Sequence, residues 1–247
     1  MSRLDPSADA KPAAWIVAAL ESFGESVVGL VPAGFAAYVR VFHPAYRRTP
    51  TGGLAPVSWR AIANANGREA HPSMQLIALT GNARLVDDGQ PGVYDAPPRE
   101  ETLPPEVNRP LVDVLARHTT TPDRCWFAVW HGLGATRADV RQAPTFEVPL
   151  RGYYLLVGPI EAAGESVCDP PREQSPNLWW PDDRSWCVAT EIDANTTYIA
   201  CDQPCCRAIV SRADLEAAAV SPDDGIRWNS DPVNPWPGPE TAAPLSS

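Results

Sequence analysis

Residues 175–200, SPNLWWPDDRSWCVATEIDANTTYIA, hold three of the nine tryptophans and four carboxylates. Pro181 followed by Asp182 and Asp183 is turn chemistry, because proline fixes φ and aspartate side chains accept hydrogen bonds from nearby backbone N–H groups. From Trp186 the residues alternate, with Trp186, Val188, Thr190 and Ile192 toward one face and Cys187, Ala189, Glu191 and Asp193 toward the other. The stretch therefore reads as a turn feeding a strand whose first set faces the core. A sheet carrying aromatic-rich strands becomes the organising element.

Working outward, Cys125–Trp130 (CWFAVW) is apolar throughout, as a strand covered on both faces must be, and belongs in the middle of the sheet. Residues 151–157 read as a further strand, stopped by Gly158-Pro159. Ala37–Phe42 is another, with Tyr38, Arg40 and Phe42 on one face; an arginine between two aromatics there is either stacked and paired or at the sheet edge. The apolar run 27–31 reads as a short strand. Helical periodicity marks 12–23, 107–117 and 204–218, the last in two pieces, and Ser58 and Gly67 frame a short helix over 59–66.

Residues 81–105 and 162–177 are rich in Gly and Pro and read as loops. A charged connection as long as the first is either functional or mobile. The predicted fold is α+β, a mostly antiparallel sheet packed by three or four helices in a single domain over 12–220. Residues 1–11 are expected to be disordered, and 221–247 to form a Pro-rich, partly disordered tail.

The 247 residues carry 20 basic against 30 acidic side chains, a formal charge of -10. That field repels phosphate backbones and anionic lipids, so nucleic acid and membrane surfaces are not expected partners. No apolar run is long enough to span a bilayer. The charged, polar N-terminus does not fit a secretory signal, which places the chain in the cytoplasm with its six cysteines reduced. Lys11 is the sole lysine, so the positive charge is nearly all arginine, a bias of composition rather than a recognition motif.

Three carboxylates are candidates for chemistry. Glu191 and Asp193, two strand steps apart, project the same way and could act as acid and base or as hard oxygen ligands; the plainer account is a solvated face or an ion pair. Asp183 either closes a turn or faces a pocket walled by Trp179 and Trp180. His43 and His131 lie where strands give way to turns, a usual place for binding residues. Neither they nor His71 and His118 show a metal-ligand spacing. Arg40 and Trp130 complete the candidate ligand-binding set. The cysteines at 201, 205 and 206 lack the paired spacing of a structural zinc site, so neither metal nor cofactor is expected. No GxSxG, P-loop or GxGxxG precedes a helix.

The segments YVRVFHP (38–44), CWFAVWHGLG (125–134), RGYYLLVGPI (151–160) and LWWPDDRSWCVATEID (178–193) together resemble a group of actinobacterial hypothetical proteins of similar length. The resemblance covers roughly residues 15–220 and implies a bacterial, intracellular, single-domain protein without an assigned activity. After TTYIA, this chain has Cys201-Asp202 where the group leads one to expect a glycine-rich turn. The leading functional expectation is a non-catalytic binding or immunity-like module that meets a protein or small polar ligand on a Trp- and Asp-lined surface. The alternative is an acid–base or metal-assisted enzyme using Asp183, Glu191 and Asp193.

Overall fold

The computed structural model describes residues 2–20 and 24–235. Eleven strands occur in the order β1 (Asp5–Pro6), β2 (Ala37–Phe42), β3 (Ala45–Arg48), β4 (Leu54–Val57), β5 (Cys125–Trp130), β6 (Thr145–Val148), β7 (Arg151–Gly158), β8 (Leu178–Pro181), β9 (Cys187–Ala189), β10 (Thr196–Cys201) and β11 (Ala217–Val220). The helices are α1 (Ala14–Ala19), α2 (Trp59–Ala65), α3 (Leu76–Thr80), α4 (Ala83–Asp88), α5 (Pro105–Leu115) and α6 (Gln203–Val210). Among the described residues nine strands form one sheet, eight of them in the order β1-β7-β5-β8-β9-β10-β2-β11 with β6 also paired to β7, and β3 and β4 form a separate hairpin. All pairings are antiparallel. Strand β7 is long enough to take two partners along one edge: β6 covers Arg151 to Tyr154 and β1 covers Leu156 and Val157. The predicted α+β class is the observed one.

Both faces of the sheet are buried, and consecutive residues alternate between two cores. Phe127, Val129, Trp179, Trp186, Val188 and Ile199 face α5 and α6. Trp126, Ala128, Trp180, Cys187, Ala189 and Tyr198 face α1 and the segment around Val27 and Leu30. Trp179 lies nearly parallel to Phe127 at 6.1 Å and edge-on to Trp186 at 5.1 Å. A third cluster, Phe42, Trp59, Ile62, Leu79 and Tyr94, sits beside the sheet and gathers α2, α3 and the β3 end.

Several local expectations give way to tertiary context. Residues 2–11, expected to be disordered, run along the sheet: β1 pairs with β7, Leu4 is buried, and the Arg3 guanidinium pairs with Glu165 at 2.6 Å. The open edge of β7 supplies the hydrogen-bond partners that composition alone does not reveal. Residues 27–31 form a 3-10 turn over Val27–Gly29 rather than a strand, since a short buried apolar run carries no period of its own. Ala217 and Ala218, expected at the end of the second helical piece, pair instead with β2, whose outer edge takes them as a partner strand. The 81–105 connection contains α4, and α3 precedes it.

The helix expected over 12–23 is a 3-10 turn followed by α1; residues 21–23 lie outside the described residues. Of the expected tail, 221–235 packs on the body through Asp231, which accepts from the Gln75 N–H at 3.0 Å and pairs with His71 at 2.9 Å. The rest of that tail, 236–247, lies outside the described residues. The helix over 59–66 stands as read, with Ser58 Oγ accepting from the Ala61 N–H.

Trp186 is fully buried and its indole N–H donates to the Leu115 carbonyl at 3.1 Å, tying β9 to the end of α5. Trp186→Ala should therefore cost about 3–5 kcal/mol, from the emptied volume and the orphaned carbonyl. Denaturant unfolding should show a lower midpoint at unchanged slope; a loss below about 1 kcal/mol would count against this packing.

Candidate functional site

The strand register defines two ends of the sheet. Phe42, Trp130 and Thr196 lie at one end, and Ala37, Cys125, Pro181, Cys187 and Cys201 at the other. Glu191 and Asp193 follow β9 at the first end, in a turn rather than on the strand. There Arg151 meets both: its Nε is 3.0 Å from Glu191 Oε1 and its guanidinium is 3.6 Å from Asp193 Oδ2. The same guanidinium stands 5.5 Å from the Trp130 ring, and the Asp193 N–H donates back to Glu191. The two carboxylates do share one place, held by one arginine.

His43 is at this end too, but is fully buried. Its Nδ1 lies 2.7 Å from the Arg99 carbonyl, which can only accept, so Nδ1 carries the proton. Nε2 then accepts from the Thr197 hydroxyl at 2.9 Å, and Thr197 Oγ1 in turn accepts from Thr190 at 2.8 Å. Burial pushes the imidazole down to about 4, against the hydrogen bond to Arg99 and with help from the Arg40 charge. His43 is thus a neutral buckle between β2, β10 and the 99–102 segment, with both nitrogens occupied.

Asp183 is at the opposite end. Desolvation pushes its carboxyl up, but the Thr120 N–H and hydroxyl and the Ser185 N–H outweigh that and pull it to about 2. It clamps the β8–β9 hairpin onto the 119–121 segment, which is the turn role. Trp179 and Trp180 are fully buried, one in each core, so they wall no surface pocket. Trp130 is half-buried beneath Arg151. His131 is exposed, 3.5 Å from Glu147, and its ring lies so close to Gly152 that a Cβ there would meet it at 1.9 Å. The expected set of Asp183, Glu191 and Asp193 does not converge.

Arg40 is fully buried between three aromatics, with Phe42, Trp59 and Tyr198 at 4.7, 5.4 and 5.7 Å. Its terminal nitrogens donate to the Met74 carbonyl and Gln75 Oε1, and among the described residues no carboxylate reaches it directly and its Nε has no hydrogen-bond partner. Desolvation lowers its pKa. The sequence alternative of stacking is therefore the one realised, and β11 keeps β2 off the edge.

Arg40 also forms the floor of a cleft of about 240 Å³ whose walls are Asp87, Glu100, Asp193, Thr196, Ile226 and Trp228. A second hollow of about 240 Å³ adjoins it, sharing Asp193, Thr196, Ile226 and Trp228 and reaching Glu191, Arg151 and Tyr198. Trp228 is 59% exposed. Desolvation, then the charges of Asp87, Glu101 and Asp193, hold the Glu100 carboxyl above the ordinary carboxylate range. The adjoining Glu101 has φ 66, a backbone conformation rare outside glycine and found where surrounding structure imposes it.

Sequence reasoning names Arg40, Glu191 and Asp193 as candidates without bringing them together, and it misses Asp87, Glu100 and Trp228. The length and charge of the 81–105 connection were the available signal for the first two. Comparison with known proteins finds no matching family model, no matching curated protein and no matching solved structure. The resemblance to actinobacterial proteins rests on its four segments alone.

His43 sets a pH dependence. The unfolded chain takes a proton near 6.5 and the folded imidazole only near 4, so stability is full above 6.5 and is lost as pH falls through that window. The loss should total about 3 kcal/mol by pH 4. Unfolding free energies from pH 7 to 4 should fall more steeply for the wild type than for His43→Gln; parallel curves would contradict the buried neutral histidine.

Proposed function

We propose that the protein is a non-catalytic binding module whose cleft takes a small ligand bearing a protonated amine. The observation that carries this is the convergence of Asp87, Glu100 and Asp193 on one cleft, where Glu100, exposed to solvent, is raised by partial desolvation and by its acidic neighbours. These three carboxylates outnumber the single guanidinium of Arg40 at the floor, so a cation entering there relieves the repulsion that the free protein endures. Trp228 stands at the rim, and Ile226, Leu76, Ile77 and Val86 provide apolar wall for the ligand's carbon skeleton. The net charge of -10 draws cations toward the cleft from a distance.

Catalysis by the three-carboxylate set is the weaker reading, because Asp183 is spent on a hairpin at the far end of the sheet. Glu191 is spent on Arg151. The binding module belongs in the cytoplasm on this reading. Six free, buried cysteines suit a reducing compartment. Among the described residues no helix is long and apolar enough to cross a membrane.

Calorimetric titration with putrescine and lysine amide, against acetate and acetamide as controls, tests the reading. Amines should bind and the controls should not. Glu100→Gln should weaken amine binding about tenfold, as expected when a charge-assisted bond of ~1.5 kcal/mol is removed. Because a raised carboxyl pKa means ionisation works against the fold, the same variant should be more stable than wild type at pH 7 without ligand. Equal binding of acetamide, or unchanged amine affinity in Glu100→Gln, would overturn the proposal.

A further inference from the structure

At the end of the sheet opposite the cleft, three metal-binding side chains of different chemistry meet. His118 comes from the 3-10 turn Ala116–His118 that continues α5; Asp202 and Cys205 come from the first turn of α6. One donor atom of each, an imidazole nitrogen, a carboxylate oxygen and Sγ, lies within 4.8 Å of the others. Zinc bond lengths of about 2.0–2.3 Å put the donors of a tetrahedral site roughly 3.3–3.8 Å apart, so side-chain rotation of about an ångström closes the set. We propose that His118, Asp202 and Cys205, with Cys201 as fourth ligand, form a structural zinc site.

Cys201 ends β10 one residue before Asp202, is fully buried, and its thiol is a neighbour of the Cys205 thiol. Asp202 uses Oδ1 to accept the Cys205 N–H at 2.7 Å, which holds the helix start in place and leaves Oδ2 for the metal. Two thiolates, an imidazole and a carboxylate in a tetrahedron suit zinc better than calcium or magnesium, which want oxygen alone. Each thiol gives up its proton as its sulfur–zinc bond forms, so binding releases two protons to solvent.

The site would join the end of α5 to the β10–α6 junction, two elements already in contact through the core they share. Sequence spacing could not show it, because the histidine is more than eighty residues away and the cysteines are not a CxxC pair. Cys187 is no candidate ligand, since it belongs to the core on the other face of the sheet.

The test uses the full chain, reduced and stripped with a chelator, titrated with cobalt(II) and then zinc(II). One equivalent of cobalt should give an ultraviolet thiolate-to-metal charge-transfer band and the intense visible bands of a tetrahedral ion, and zinc should bleach both. His118→Ala, a partly exposed position that should fold normally, should weaken cobalt binding by more than about tenfold, the loss that even an outer partner of a metal ligand produces. Cys205→Ser should weaken cobalt binding and cut the charge-transfer band to that of the one remaining thiolate, while Cys206→Ser should leave affinity and spectrum unchanged. A folded, reduced wild type giving only the weak spectrum of hydrated cobalt, or His118→Ala binding as wild type does, would overturn the site. Neither result bears on the amine cleft, which shares no residue with it.

Discussion

The pairing of Cys125–Trp130 with Leu178–Pro181 sets Trp126 beside Trp180 and Phe127 beside Trp179 in the middle of the sheet, with large apolar side chains on both faces. Neither face can stay in water, since each such side chain gains about 1.5–3 kcal/mol from burial. Two covers are therefore required, and the chain supplies them from separate regions. Helices α5 and α6 close one side; α1 with the turn at Val27–Gly29 closes the other. The short elements at the margins, β1, β6 and β11, then satisfy the edges that remain.

The cleft is a consequence of how the second cover ends. Arg40 comes from the same alternation that puts Tyr38 and Tyr198 on that face, and so a cation is buried where apolar residues would pack. Carbonyls and ring faces hold it, with Asp224 and Asp231 of the C-terminal segment supporting its charge from farther away. That segment crosses the sheet end with Ile226 and Trp228 and leaves a hollow against the 83–100 region. Acidic residues on the opposing walls make the hollow a place for a positive charge. The far end is different in kind: there Asp183 is fully satisfied by Thr120 and Ser185, and its function is to hold a turn.

Much of the sheet was legible because its strands announce themselves. CWFAVW has no polar residue to place in water, and the alternation from Trp186 can be read directly, even though the regular strand is only Cys187–Ala189. Ser58 at a cap position marked α2. What failed was whatever depended on an edge or a neighbour: alanines 217–219 have no intrinsic reason to be a strand, and residues 5 and 6 none to be ordered. The site followed the same rule. The Glu191–Asp193 pair was visible as two side chains on one face, but its arginine, 40 positions away from Glu191, was not. Trp179 and Trp180 misled because adjacent tryptophans suggest a surface cradle, whereas in a sheet covered on both sides they are two core residues.

The most direct test of the account is backbone and indole NMR during titration with putrescine. The account requires amide shifts at Glu100, Asp193 and Thr196 and a shift of the Trp228 indole, all saturating with one binding constant, while Asp183 and Thr120 stay still. Shifts absent from the cleft, or concentrated at the hairpin end around Asp183, would contradict it.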